Sequence, residues 1–346
     1  MDIKKIAANY NDYLIEMRRY FHAHPEVSGK EYETSKRVKE ELDKYGIPWR
    51  PCGLETGVLA TITGAKPGRT ILLRGDMDAL TVQEALPFAS QNDGVMHACG
   101  HDCHISALLT AARLLNDHKD ELCGTVKLAF QPAEEIATGA KSMIEQGALD
   151  GVDGCFGIHV WSDVPAGKVA LTPGPQMAAA DQFIINIQGK GGHGSAPQQC
   201  VDTVVALSAM VNNLQTIVSR EINPSDSAVL TIGKIEAGTR WNVVAEYGRM
   251  EGTTRYFSRD LQKRFPEMME RVVRHTAEAY RVKAELEYNW IVSPTINDDG
   301  MIKLATASAA KAIGPDAAMH LPPITGGEDL FLYGEGAWRH CPDGRR

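Results

Sequence analysis

Long apolar runs are missing from this chain of 346 residues. Its most apolar stretch, residues 201–218, is broken by Asp202, Asn212, Asn213 and Gln215, and the opening "MDIKKIAANYNDYL" has no apolar h-region. Neither a membrane span nor a signal peptide is expected. A basic surplus is missing too, with 36 Lys and Arg against 44 Asp and Glu and a formal net charge of -8. That balance argues against a general binder of nucleic acid or of an anionic membrane, and leaves a small substrate. Cysteines are few and odd in number: the seven, at positions 52, 99, 103, 123, 155, 200 and 341, do not resemble a secreted disulfide framework. A cytoplasmic protein with reduced thiols is expected.

What is present is ordinary globular material, 43% hydrophobic and 23% charged, in a chain long enough for two domains. Helical spacing runs from Ile6 to Phe21, stopped by Pro25, and again over 31–45, ending at Gly46. "TILLRGDMDAL" and "GTVKLAFQPAEE" read as buried strands that end in acids, and "VDGCFGIHV" as a third that ends in His159. Apolar residues from Ile105 to Leu115 are helical, which places "HACGHD" in the loop that opens a helix. Strands alternating with helices predict an α/β layer, whose ligands gather at the carboxyl ends of the strands. Between about 178 and 290 the order becomes β-α-β-β-α-β, with helices near 201–220 and 260–279. That is the order of a ferredoxin-like α+β unit. The expected division is therefore 1–177 with 291–346 as a discontinuous α/β domain, and 178–290 as an inserted one.

"HACGHDCH" at 97–104 holds three histidines, two cysteines and an aspartate. The Cys99 to Cys103 spacing is neither C-x-x-C nor a complete tetrahedral finger, so a zinc knuckle, a redox pair and part of a larger metal centre all stand at this point. Asp76 with Asp78, Cys99 with His101, Glu134 with Glu135, and His159 each have an unremarkable reading as turn, surface or core residues. Together they fall at the ends of successive strands. Divalent ions set close together need several such side chains and an open position for water, whose pKa they lower. A neighbouring carboxylate can take the proton and deliver it to a leaving amine, and "PAEE" offers a ligand and a base side by side. His22 and His24, close to the turn at Pro25, read as structural; Cys103 and His104 read as the start of a helix, and His97 as a support for the site.

Nine segments carry a resemblance in order: "RRYFHAHPEVSGKE" (18–31), "LLRGDMDAL" (72–80), "MHACGHDCH" (96–104), "AFQPAEE" (129–135), "GIHVW" (157–161), "GKGGHGSAP" (189–197), "EAGTRWNVV" (236–244), "GTTRYF" (252–257) and "GGED" (326–329). The chain resembles the amidohydrolase branch of the aminoacylase and carboxypeptidase G superfamily of co-catalytic metallopeptidases, a branch that holds hippurate hydrolases, N-acyl-amino-acid deacylases and plant auxin-conjugate hydrolases. The resemblance implies a metallopeptidase-type α/β catalytic domain with an inserted ferredoxin-like lid and dimerisation domain. It implies two divalent metal ions, with Cys99 bridging them and His101, Glu135 and His159 as further ligands, and Glu134 as general base. Zinc or manganese suits that donor set, with nickel or cobalt as other candidates. Asp76 would orient a histidine or the base, because Arg74-Gly75-Asp76 stands where other branches carry a His-x-Asp ligand motif. His193 would stabilise the oxyanion, while Asn242 and Arg255 would hold polar groups of the substrate.

The expected activity is hydrolysis of the amide bond of an N-acyl amino acid or a similar small conjugate by a homodimer, through a water activated at the metals. The rivals are a dipeptidase or carboxypeptidase, a catalytically impaired metal-binding product, and a thiol-based redox protein. The impaired product enters because "LFLYGEGAWRHCPDGRR" after "GGED" differs from the closing segment of the family, whose last histidine ligand His340 does not match. An incomplete or frameshifted end is the expectation there.

Overall fold

The computed structural model describes residues 3–330 and 332–334. His340, Cys341 and the expectation attached to the closing segment lie outside the described residues. The chain divides into two compact units, one built from 1–172, 298–321 and 329–346, the other from 173–297 and 322–328. The second is wider than the sequence suggested. The short strand Gly174–Met177 pairs antiparallel with Thr295–Asn297, and this pairing carries both edges of the unit outward.

In the first unit five strands, β1 (Trp49–Pro51), β2 (Val58–Thr63), β3 (Lys66–Asp76), β4 (Cys123–Gln131) and β5 (Gly154–Gly157), form a sheet in the order β1-β2-β4-β3-β5. β3 runs parallel to both β4 and β5, while β2 is antiparallel to β4. Alternation along the strands sends side chains to two separate cores. After the short helix α1 (Ile3–Ala8), Val58, Ala60, Ile62, Leu128 and Phe130 pack with Met17 and Phe21 of α2 (Asn11–Ala23), Val38 and Leu42 of α3 (Tyr32–Lys44), and Ile105 and Leu109 of α4 (His101–Asp117). Leu59, Leu72 and Ala129 point the other way, onto Ala140 and Met143 of α5 (Gly139–Glu145). Helices on both faces of a largely parallel sheet make this an α/β layer.

α4 begins at His101, four residues before its apolar pattern. "HACGHD" is therefore split between a loop and the first helical turn rather than lying wholly in a loop. Gly75 permits the close passage of α4 over β3: a Cβ there would sit 3.1 Å from the His104 carbonyl oxygen. The second unit carries strand Ala180–Gln188, α6 (Thr203–Thr216), strands Ala228–Ala237 and Tyr247–Tyr256, α7 (Arg259–Tyr280) and strand Lys283–Val292. Numbered within the unit, its antiparallel sheet has the order 2-3-1-4, that of a ferredoxin-like fold. α6 starts at Thr203 rather than near 201 because Asp202 caps it, accepting from the amides of Val204 and Val205 at 2.8 and 3.3 Å.

Candidate metal centre

β3, β4 and β5 end at Asp76, Gln131 and Gly157, so the residues just beyond them come out on one edge of the sheet. Among the described residues, three groups of potential ligands that share His101 have atoms within 4.8 Å of one another there: Cys99, His101 and His159; His101, Glu134 and Glu135; and Asp76, His101 and His104. His101 belongs to all three.

The orientation of each imidazole follows from what its other nitrogen does. His101 Nδ1 lies 2.9 Å from the Asp78 carbonyl oxygen, which can only accept, so Nδ1 carries a proton and Nε2 is the nitrogen left to meet a ligand. That Nε2 is buried without a hydrogen-bond partner, as is Glu135 Oε1, and the two are 3.8 Å apart. His159 is held the same way, with Nδ1 at 2.6 Å from the Val160 carbonyl oxygen and Nε2 at 3.8 Å from Cys99 Sγ. Leaving buried polar atoms without a hydrogen bond costs about 1–3 kcal/mol each, so two of them this close together signal something that binds there. The charge around it has the right sign. Burial disfavours an imidazolium at His101, but Asp76 and Asp78 outweigh it and push its pKa up to about 12. A point that stabilises positive charge so strongly, ringed by thiol, imidazole and carboxylate donors, fits a divalent cation.

His104 is excluded as a ligand by the same reasoning. Its Nε2 accepts from the Val160 amide at 2.9 Å, which leaves the proton on Nδ1, 2.5 Å from Asp76 Oδ1. Both nitrogens are engaged. Asp76 in turn takes Arg74 Nη1 at 2.6 Å, and Arg74 reaches Asp329 at 2.7 Å and Gln131 at 2.8 Å, all buried. Burial works against the Asp76 charge, yet Arg74 and the two histidines hold its carboxyl well below the usual carboxylate range.

Two further carboxylates fix the loop that carries Glu134 and Glu135. Asp78 accepts from the amides of both, at 3.1 Å each, and from Ser28 Oγ at 2.6 Å. Glu31, fully buried, accepts from the Ala133 amide at 2.9 Å, the Gly29 amide at 2.8 Å and Thr56 Oγ1 at 2.8 Å. Ala133 has φ of 52°, left-handed for a residue with a Cβ, so three successive amides tied to buried acids hold a bend that the chain resists. Sequence reasoning missed Glu31 and His104. Their partners lie 102 and 56 residues away, and no local pattern announces such a contact. His97 differs from its expected supporting part. Neither ring nitrogen has a hydrogen-bond partner among the described residues.

His193, Asn242 and Arg255 lie in the second unit. His193 pairs with Val243 in a two-residue ladder, the Asn242 carbonyl accepts from the Gly194 amide at 2.9 Å, and Arg255 pairs with Val229 on the central sheet. His193 Nδ1 accepts the Ser195 amide at 3.2 Å, which leaves the proton of a neutral ring on Nε2.

An α/β sheet that delivers thiol, imidazole and paired carboxylates to its strand ends brings together the donors of a metal-dependent enzyme. The chain belongs to peptidase family M20/M25/M40, whose model matches residues 72–342. It is 42% identical over 330 residues to an N-acetylcysteine deacetylase of Bacillus subtilis, covering 93% of this chain and 85% of that one. To an N-acyl-L-amino acid amidohydrolase of Geobacillus stearothermophilus it is 40% identical, covering 86% and 81%. The crystal structure of Bacillus subtilis YXEP, described as a dinuclear metal-binding peptidase of the M20 family, superposes with a TM-score of 0.84 at 39% identity, covering 95% of this chain and 86% of that one. Among the described residues no helix is long and apolar enough to cross a membrane.

Proposed function

We propose that this protein hydrolyses the amide bond of N-acyl amino acids, releasing a carboxylic acid and a free amino acid. The observation that carries the reading is the convergence of Cys99, His101, Glu134, Glu135 and His159, with His101 Nε2 and Glu135 Oε1 buried, without hydrogen-bond partners and 3.8 Å apart. Cys99, His101, Glu135 and His159 would hold two divalent ions, zinc or manganese before nickel or cobalt given one thiolate among imidazole and carboxylate donors. When bound, such ions polarise a carbonyl and acidify water. Glu134, whose amide is fixed by Asp78, takes the proton from the attacking water and passes it to the leaving amine. His193 presents Nε2–H to the developing oxyanion, and Arg255 with Asn242 binds the carboxylate of the amino acid.

A reducing, cytoplasmic setting belongs to this reading, because Cys99 serves as a thiolate and the six described cysteines are all free. So does a homodimer formed through the second unit. Val204 and Val205 of α6 are exposed, as are Val229 and Ile235 of the Ala228–Ala237 edge strand, and light scattering reads the assembly directly.

The test is amine release from N-acetyl, N-benzoyl and indole-acetyl amino acids and from dipeptides, using protein reconstituted with zinc or manganese. Turnover of the N-acyl compounds that falls by roughly 100-fold or more in Glu134→Gln is expected for the loss of a general base. Turnover confined to dipeptides would make the protein a peptidase instead. Unchanged turnover in the variant would remove Glu134 from the mechanism.

A further inference from the structure

We infer that His104 is a positioning residue for His159, and that it acts by holding the backbone amide of Val160. The inference rests on the reading of His159 as a metal ligand. His159 stands two residues beyond the end of β5, in a segment without regular secondary structure, where Ile158 is 57% and Val160 42% exposed. A ligand on such a segment needs an anchor, because a loop with few buried contacts samples many conformations. The structure supplies two, both on the N-terminal end of α4.

The first is the hydrogen bond from the Val160 amide to His104 Nε2, at 2.9 Å. It requires that Nε2 carry no proton. The tautomer is set from the other side of the ring by Asp76 Oδ1 at 2.5 Å from Nδ1, and Asp76 is held in place by Arg74, itself clamped by Asp329 and Gln131. A chain of buried contacts, Asp329 to Arg74 to Asp76, thereby fixes which edge of His104 faces Val160. The second anchor is steric. Gly100 has φ of 82°, and a Cβ on it would lie 2.4 Å from Val160 Cγ2, so the Val160 side chain occupies the space that the glycine leaves open. The two contacts seat Val160 from its amide and from its side chain. His159 is thereby turned so that its ring stands edge-on to His104, centroids 4.7 Å apart, and Nε2 faces Cys99.

Two variants separate this part from a merely structural one. In His104→Asn the side-chain amide reaches only the Nδ1 position, so the bond to Asp76 survives and the acceptor for Val160 is lost. In His104→Gln an amide oxygen reaches the Nε2 position and can accept that N–H again. The readout is titration of metal-free protein with Co2+ alone, followed by visible absorption, with His159→Ala as reference. We expect one of two Co2+ ions to bind about 10- to 100-fold more weakly in His104→Asn, the usual size of losing a residue that orients a ligand, and to return within about threefold of wild type in His104→Gln. Wild-type Co2+ affinity in His104→Asn overturns the inference, as does equal weakening in both variants. If His159→Ala itself binds two Co2+ ions normally, His159 is no ligand and the reading of the centre fails before the anchor is reached.

Discussion

Removing the carboxylate of Glu31 should loosen the loop that carries Glu134 and Glu135 while leaving the two-layer cores in place. Glu31 touches no candidate ligand, but it accepts three hydrogen bonds, from the Ala133 amide, the Gly29 amide and Thr56 Oγ1, between 2.8 and 2.9 Å. Glu31→Ala leaves those donors without it, but only the Ala133 amide belongs to the loop, so the loop loses one bond to a charged acceptor, about 2 kcal/mol of its resistance to opening. The left-handed Ala133, φ 52°, pushes the same way, since it relaxes once the tie is cut. A factor of ten per 1.4 kcal/mol turns that into roughly 30-fold faster amide hydrogen exchange over 130–137, measured by mass spectrometry at matched metal loading. Glu31→Gln separates shape from charge. It keeps one acceptor oxygen, and the Thr56 hydroxyl can turn to accept from the new amide group. Burial already pushes the Glu31 carboxyl up, against the bonds from Thr56, Gly29 and Ala133, so an uncharged acceptor sacrifices little, about 1 kcal/mol and roughly fivefold in exchange. Folded Glu31→Ala protein whose exchange over 130–137 rises less than about threefold would refute the assignment of Glu31 as the tie.

Two other perturbations follow from the same geometry. Gly100→Ala meets both the left-handed backbone and the Val160 methyl at 2.4 Å, whereas Gly46→Ala, with φ of 64° and nothing within 4 Å, meets only the backbone. Backbone strain is worth ~1–2 kcal/mol in each, so the urea midpoint should fall further in Gly100→Ala; equal shifts would show that Val160 is not seated there. Burial lowers the pKa of His97 to about 4 from an ordinary value near 6.5, so the fold favours its neutral form. The sign is fixed by that direction: the contribution is complete above about pH 6.5 and is lost as pH falls towards 4, with a ceiling of ~3 kcal/mol, and bound cations nearby would only strengthen it. Since both ring nitrogens are unpartnered, His97→Phe should flatten the fall of the urea midpoint between pH 6.5 and 4, and an unchanged slope would assign the pH dependence elsewhere.

The α/β architecture was legible because its signals are local. β3 and β4 are apolar runs that finish at Asp76 and Gln131, next to the acids, and an order of strands and helices is a property of the chain read forwards. The ferredoxin-like unit was legible for the same reason. The start of α4 was not. Its first turn, His101 to His104, is chosen for what it binds and carries no apolar repeat, so the helix announces itself only from Ile105. The motif positions Cys99, His101, Glu134, Glu135 and His159 stand out because several donor types crowd into short segments at strand ends, and their convergence follows from the parallel register of β3, β4 and β5. What holds them in place follows from nothing so near. Glu31 reads as one more acid opening a helix and His104 as one more helical residue, yet each is defined by a bond to an amide 102 or 56 positions away. An amide looks alike in every residue, so the sequence cannot mark the donor. Only the acceptor side carries a residue type, and a buried Glu or His whose own neighbours offer it no partner is the one trace such a bond leaves in a chain read without its fold.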